Sequence, residues 1–242
     1  MKIIAHRGAS FEAPENTLAA MRLAIDQKAD GVEFDVHRTR DGNAAVIHDD
    51  STLKTTGMRA LVRDVSMDEL QLLDAGCWKG PQWRCETIPE IGDVLRLLPE
   101  DMLAFIEIKC GPDILPAVAE VVPLLHAQSL FVGFSLETMA LAKQQFSDHK
   151  VLWNLELLKD EAGGWRPGTD EMIAAVRGAG LDGVGLGFCD AITGDLVAAI
   201  HEAGLELFVW TVDDVEQAKR LRSLNVDYLA TNRPGGLRAG LA

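Results

Sequence analysis

The sequence predicts an α/β fold: a (β/α)8 TIM barrel with a small insertion after the second strand region. Three observations predict it. First, "AIDQKADGVEFDV", "AAVRGAGLDGVGLGF", "AAIHEAGLELFVWTV" and "LRSLNVDYLATN" repeat one event, a helical stretch that ends at a polar or glycine turn and runs into a short β-rich segment. Second, 242 residues is about the length that eight such units need. Third, charged and polar residues fall at the C-terminal ends of the strand candidates, where a barrel opens its mouth. A doubly wound open sheet would carry a glycine-rich phosphate loop after its first strand, and "HRGASFEAPENT" is not G-x-G-x-x-G.

The elements follow in order. "MKIIAHRGAS" opens with an apolar run that His6 and Arg7 stop, too short for a signal peptide or anchor, so residues 2–6 read as a buried strand. In "APENTLAAMRLAI", Pro14 and Asn16 are helix-start signals, with Leu18, Met21 and Ile25 on one face. A strand over 31–36 follows, then a β-like run, "AAVIHDD", that ends at His48. Residues 51–89 fit no module and read as the insertion, part polar loop and part short helix, with Ser66 and Glu69 at capping-box spacing in "SMDELQLLD". The remaining strands fall at 103–108, 130–134, 150–155, 183–187, 206–211 and 226–230. With no linker or low-complexity tract, residues 1–242 read as a single domain without a second core.

Composition excludes several classes of function. The 23 basic side chains against 37 acidic ones leave a net charge of −14, which argues against nucleic acid as a partner. No stretch reaches the roughly 18 apolar residues of a membrane span, so no membrane insertion is expected. Cys77, Cys85, Cys110 and Cys189 form no C-x-x-C pair and read as reduced thiols of a cytoplasmic protein, with a Cys77–Cys85 bridge as the alternative. The partner expected is a small molecule, and the sequence is compatible with a homodimer.

Strand ends carry the chemistry. His6 closes the first strand, Glu33 and Asp35 the second, Glu107 and Lys109 the third, Trp210 and Thr211 the seventh, and Thr231 and Asn232 the eighth. Alternation along a strand puts Glu33 and Asp35 on one face, and Glu107 with Lys109 on another that meets it. Three converging carboxylates suit a hard divalent cation, Mg2+ or Ca2+. The bland alternative is a set of interior ion pairs, Glu33 with Lys109 or Asp35 with Arg7. His37 continues the same alternation, and a mixed histidine and carboxylate set would suit a transition metal, although "HRTRDG" reads as the strand fraying into a turn. His6 and His48 beside such a cation suit general acid and base catalysis, and Arg7 and Lys109 would draw an anion, a phosphate ester, into an otherwise acidic protein.

"AHRG", "PENT", "DGVEFDV", "DGNAAVIHDD", "KTTG", "IPEIGDVL", "IEIK", "LFVWTVDD" and "LATNRP" together resemble the glycerophosphodiester phosphodiesterase family, in family order and over nearly the whole chain. The resemblance implies a barrel enzyme that hydrolyses diesters such as glycerophosphocholine and glycerophosphoethanolamine to glycerol 3-phosphate and an alcohol. It implies that His6 and His48 are the acid and base pair, that Glu33, Asp35 and Glu107 bind the cation, that Arg7 and Lys109 contact phosphate, and that Glu15 and Asn16 shape the first loop. It also implies a glycerol hydroxyl as internal nucleophile, giving a cyclic phosphate that water opens; the residues alone do not separate this from direct attack by water. Lys54 stands where the family often has an arginine, and "LGFCDAIT" lacks polar residues often seen there, which bears on the preferred alcohol.

Trp210 could wall the substrate site, since its position at a strand end is a site position, or fill the barrel for volume alone. Phe11, Phe188, Trp78 and Trp83 could line the mouth from loops but read first as packing against the barrel rim, and His126, His149 and His201 read as surface residues. Three other activities fit parts of the pattern: a phosphodiesterase acting on lysophospholipids, a metal-dependent barrel lyase or isomerase, and a phosphate-binding module without catalysis. The lyase reading gives no reason for Arg7 and two histidines around an anion.

Overall fold

The computed structural model describes residues 1–124 and 129–242, so His126 lies outside the described residues. Eight parallel strands form the wall: β1 (Lys2–His6), β2 (Gly31–Arg38), β3 (Leu103–Ile108), β4 (Leu130–Gly133), β5 (Lys150–Leu155), β6 (Gly183–Gly187), β7 (Glu206–Trp210) and β8 (Tyr228–Thr231). Neighbours pair in chain order, and β1 pairs with both β8 and β2, which closes the barrel. A helix follows each strand: α1 (Leu18–Asp26), α2 (Ile91–Leu97), α3 (Leu115–Val121), α4 (Leu136–Gln145), α5 (Thr169–Gly178), α6 (Gly194–Glu202), α7 (Val215–Ser223) and α8 (Pro234–Leu241). Among the described residues no helix is long and apolar enough to cross a membrane.

Alternation along the strands makes two cores. Outward residues such as Ile3, Val32, Phe34, Ile106, Phe131 and Leu207 pack under the helices. Inward residues Ile4, Leu103, Phe105, Leu152, Phe208 and Tyr228 fill the barrel. Phe105 meets Phe208 and Tyr228 with ring centroids 4.9 and 5.0 Å apart, a plug that floors the mouth. That plug needs room. At Gly185 an added Cβ would lie 3.2 Å from the Phe208 ring and far inside contact with the Asn154 side chain, so β6 contributes almost nothing but backbone there.

The N-cap of α1 is Thr17, whose hydroxyl accepts from the Ala20 N–H, and not Asn16, which sits at φ 59° with its side chain turned inward. Ser66 and Glu69 do form the capping box, on the short helix Met67–Gln71. Residues 51–89, the expected insertion, bury Val62, Met67, Leu70, Ala75 and Ile88 against Ala45 and Ile47. All four cysteines are free thiols. His201 is exposed, with Nε2 3.0 Å from Asp227, but His149 is half-buried with its ring edge-on to Phe131, so it is not a surface residue.

Candidate active site

Parallel register brings the site together. His6 pairs with Glu33, and Asp35 pairs with Glu107, so the tips of β1, β2 and β3 place their inward side chains side by side. Carboxylate oxygens of Glu33, Asp35 and Glu107 lie within 4.8 Å of one another, and all three residues are buried. Among the described residues they are the group that could hold a metal.

Two cations from adjacent positions lean into this trio. After β1 the chain turns through Arg7 (φ 57°) and Gly8 (φ 78°), and the turn sends the Arg7 N–H to Glu33 Oε2 at 3.0 Å. A Cβ on Gly8 would stand 2.6 Å from the Ala20 backbone, so only glycine lets the loop lie against α1. The Arg7 guanidinium donates to Glu15 Oε1 (3.0 Å) and lies 3.3 Å from Asp35 Oδ2. Lys109 donates to Glu107 Oε1 at 2.7 Å and stands 3.6 Å from Asp35 Oδ1. Glu15 faces Arg7 and also receives Lys54 at 2.8 Å, a pairing between the first loop and the insertion that no sequence pattern signals. Asn16 spends its amide on Asp35: Nδ2 donates to Oδ2 at 2.7 Å, and the Asp35 N–H donates to Oδ1 at 3.3 Å. It is buried and holds a carboxylate in place, rather than lining the mouth.

The charges do not cancel. Burial, with Asp35 and Glu107 alongside, pushes the Glu33 carboxyl well above the usual range. Burial and Asp35 also raise Glu107 against the pull of Lys109. Burial works to raise Asp35, but Arg7 and Lys109 outweigh it and hold that carboxyl low. Glu33 Oε1 and Asp35 Oδ1 are buried without a hydrogen-bond partner. Orphaned buried oxygens in an overcharged, all-oxygen pocket fit a hard divalent cation.

Both histidines have one nitrogen committed and one free. His6 Nδ1 lies 2.8 Å from Asn232 Oδ1, and its Nε2 is 3.9 Å from Glu33 Oε2. Burial, then the neighbouring Arg7, lowers the His6 pKa to about 4. His48 Nδ1 donates to Asp49 Oδ1 at 2.6 Å. His37 follows the strand alternation but turns its Nε2–H to the His48 carbonyl at 3.0 Å. It therefore props the loop that carries His48 and adds nothing to the acidic trio, so the mixed histidine and carboxylate set does not form.

Trp210 is half-buried at the tip of β7, edge-on to Phe134 at 5.5 Å, and Phe134 in turn lies 5.4 Å from the Lys109 ammonium. Lys109 also lines a cavity of about 340 Å³, together with His37, Arg38, Asp50, Cys110 and Asp113 among others. Phe11 and Trp78 are exposed on loops, while Trp83 and Phe188 are half-buried. Sequence reasoning missed Asp49, although it stands next to His48 in "HDD", and Asp213, which "VDD" gave no reason to single out.

A model of the glycerophosphoryl diester phosphodiesterase family matches residues 6–236. The chain belongs to this family. It is 35% identical over 236 residues to the Bacillus subtilis protein YhdW, covering 97% of this chain and 95% of that one. It is 32% identical to a glycerophosphodiester phosphodiesterase of Caldanaerobacter subterraneus, with 96% and 94% of the two chains covered. An Oleispira antarctica phosphodiesterase solved in complex with the product sn-glycerol-3-phosphate superposes with a TM-score of 0.88 at 27% identity, over 100% of this chain and 96% of that one. As a member of the family the chain is an enzyme, a glycerophosphodiester phosphodiesterase on a closed eight-stranded barrel.

Proposed function

We propose that the enzyme hydrolyses water-soluble glycerophosphodiesters, such as glycerophosphocholine and glycerophosphoethanolamine, to sn-glycerol 3-phosphate and an alcohol. Catalysis uses a divalent cation, Mg2+ or Ca2+, on Glu33, Asp35 and Glu107, with His6 and His48 moving the protons. The observation that carries this reading is the buried trio of carboxylates within 4.8 Å of one another, with a free imidazole nitrogen 3.9 Å from one of them. The product bound to the Oleispira relative supports the choice of substrate.

The cation, when bound, would supply positive charge to the phosphate oxygens as the negative charge on them grows. The chain's own residues do the rest. Arg7 and Lys109, held by carboxylates on one side, turn the remaining donors toward the diester and orient it. His6 stays neutral near pH 7 because burial and Arg7 oppose its charging, and its free Nε2 takes the proton of the neighbouring glycerol hydroxyl as that oxygen attacks phosphorus. His48, whose Nδ1–H is held by Asp49, gives the proton on Nε2 to the departing alcohol oxygen. The resulting cyclic phosphate is opened by water in the reverse sense: His48 takes the water's proton and His6 returns its own to the glycerol oxygen. Trp210 and Phe134 wall the glycerol moiety. The enzyme works in the cytoplasm, in keeping with its four free thiols.

Release of glycerol 3-phosphate from glycerophosphocholine tests the proposal. It is expected to require divalent cation, to stop with chelator, and to fall on the order of 100-fold or more in His6→Ala and Glu107→Ala. Undiminished turnover in either variant contradicts the assignment. Higher rates on micellar lysophospholipids than on soluble diesters would move the substrate to that class.

A further inference from the structure

We infer that Asp213 and Asn232 are positioning residues that fix which nitrogen of His6 carries its proton, leaving Nε2 as the free base. The inference rests on the role proposed for His6, and the geometry beneath it does not.

Asp213 lies in the loop after β7 and Asn232 just past β8, and the two are tied by two hydrogen bonds, with a third from Thr231 to the same carboxylate. Asp213 Oδ1 accepts from the Asn232 N–H (2.7 Å) and the Thr231 hydroxyl (2.8 Å), and Oδ2 accepts from the Asn232 side-chain amide, Nδ2, at 2.8 Å. A carboxylate can only accept, so the NH2 of Asn232 must face Asp213. The amide oxygen is thereby turned to the opposite side, where it stands 2.8 Å from His6 Nδ1. Ser10 Oγ lies 2.9 Å from the same oxygen and 2.7 Å from the His6 carbonyl, and offers its one proton to these two acceptors. An amide oxygen cannot donate, so His6 Nδ1 must carry the hydrogen, and Nε2 keeps its lone pair toward Glu33 and the mouth. Orientation passes from a carboxylate, through an amide that cannot flip, to the imidazole.

The arrangement makes an unusual prediction for an isosteric change. In Asp213→Asn the fixed N–H of Asn232 still demands an oxygen at the Oδ1 position, so the new NH2 occupies the Oδ2 position. Asn232 then flips to present its oxygen to that NH2 and its own NH2 to His6. A donor now faces Nδ1, which moves the ring proton to Nε2 and blocks the base. The double variant Asp213→Asn/Asn232→Asp restores the order: the amide at 213 donates to a carboxylate at 232, which accepts from Nδ1–H.

Two readouts test this in the full chain. Long-range 1H–15N NMR of the imidazoles, with His6 assigned by its loss in His6→Gln, is expected to give a protonated-type Nδ1 and a pyridine-type Nε2 in the wild type. The pattern inverts in Asp213→Asn and returns in the double variant. In parallel, kcat is expected to fall on the order of 100-fold or more in Asp213→Asn with KM nearly unchanged, and to recover in the double variant, because a wrong tautomer removes the base and leaves substrate binding intact. A wild-type spectrum with the hydrogen on Nε2, or an unchanged tautomer in Asp213→Asn, overturns the inference. So does an inverted tautomer that leaves kcat unaffected while His6→Gln is inactive. Should His6→Gln itself keep full activity, it is the reading of His6 as base that fails, and the NMR pattern still decides whether Asp213 and Asn232 set the tautomer.

Discussion

Replacing Glu33 with glutamine in the metal-free protein is expected to make the fold more stable, an unusual result for a buried, hydrogen-bonded side chain. Glu33 shares a pocket with Asp35 and Glu107, all three within 4.8 Å. At an effective dielectric of about 20, two unit charges at that separation repel by about 3 kcal/mol, and Glu33 takes part in two such pairs. Its carboxyl responds by titrating far above the ordinary range, chiefly because it is buried beside Asp35 and Glu107. A group raised in this way stabilises the fold in acid and loses that contribution as pH rises through its folded pKa, so the strain is largest in mild alkali. Glutamine keeps the oxygen that accepts from the Arg7 N–H at 3.0 Å and drops the charge. After allowing for the attraction to Arg7 that is also lost, a net gain of about 2–4 kcal/mol corresponds to a rise in Tm of roughly 5–15 °C for a chain this size. The assay is thermal unfolding at pH 8 with chelator, then with millimolar Mg2+ or Ca2+. The wild type should gain stability with cation, about 2.7 kcal/mol at a hundredfold excess over Kd, while Glu33→Gln should gain little. A chelated Glu33→Gln protein that melts at or below the wild type, or one that cation stabilises as strongly, would refute the reasoning.

Three further outcomes are expected. Asn16→Ala removes the 2.7 Å donor to Asp35 and should weaken cation binding roughly 10- to 100-fold by calorimetry, and unchanged affinity would show that Asp35 needs no such brace. His6 is held neutral in the fold down to about pH 4 while an unfolded histidine charges near 6.5, so the unfolded chain gains a proton that the native state refuses. Wild-type stability should therefore fall as pH drops from 6.5 toward 4, by about 3 kcal/mol relative to His6→Gln in urea melts of chelated protein, and parallel curves would contradict this. Gly8→Ala must force a Cβ to 2.6 Å from the Ala20 backbone at φ 78° and should cost about 2–4 kcal/mol by urea denaturation, with an unchanged midpoint as the contrary result.

The barrel and much of its mouth were legible in the chain because both depend on local pattern. Eight apolar runs of strand length, with polar residues at their ends, place β1 to β8 within two residues or so, and period-two alternation alone puts Glu33 with Asp35. The three carboxylates followed because parallel register turns neighbouring strand ends into neighbouring side chains. What stayed hidden depends on contacts between distant segments. Asn16 looks like a helix cap in sequence because asparagine caps helices, and only the fold reveals that Thr17 takes that duty while Asn16 reaches 19 residues ahead to Asp35. Glu15 with Lys54, and Asp213 with Asn232, likewise pair across loops whose relative placement no periodicity encodes. His37 follows the alternation and still leaves the trio, because its ring finds a backbone carbonyl first.

Residues 51–89 look like ornament on an otherwise regular barrel, yet they are stitched to its opening turn at three places. Lys54 grips Glu15, Lys79 donates to the Ser10 carbonyl at 2.7 Å, and Glu86 accepts the Ala19 N–H at 3.1 Å, at the positive end of α1. Trimming the segment to obtain a minimal scaffold would thus unfasten the loop that carries Arg7 and strip a carboxylate from the start of the first helix. Engineers who wish to shorten or recircularise this enzyme should cut elsewhere on the rim and keep this strap.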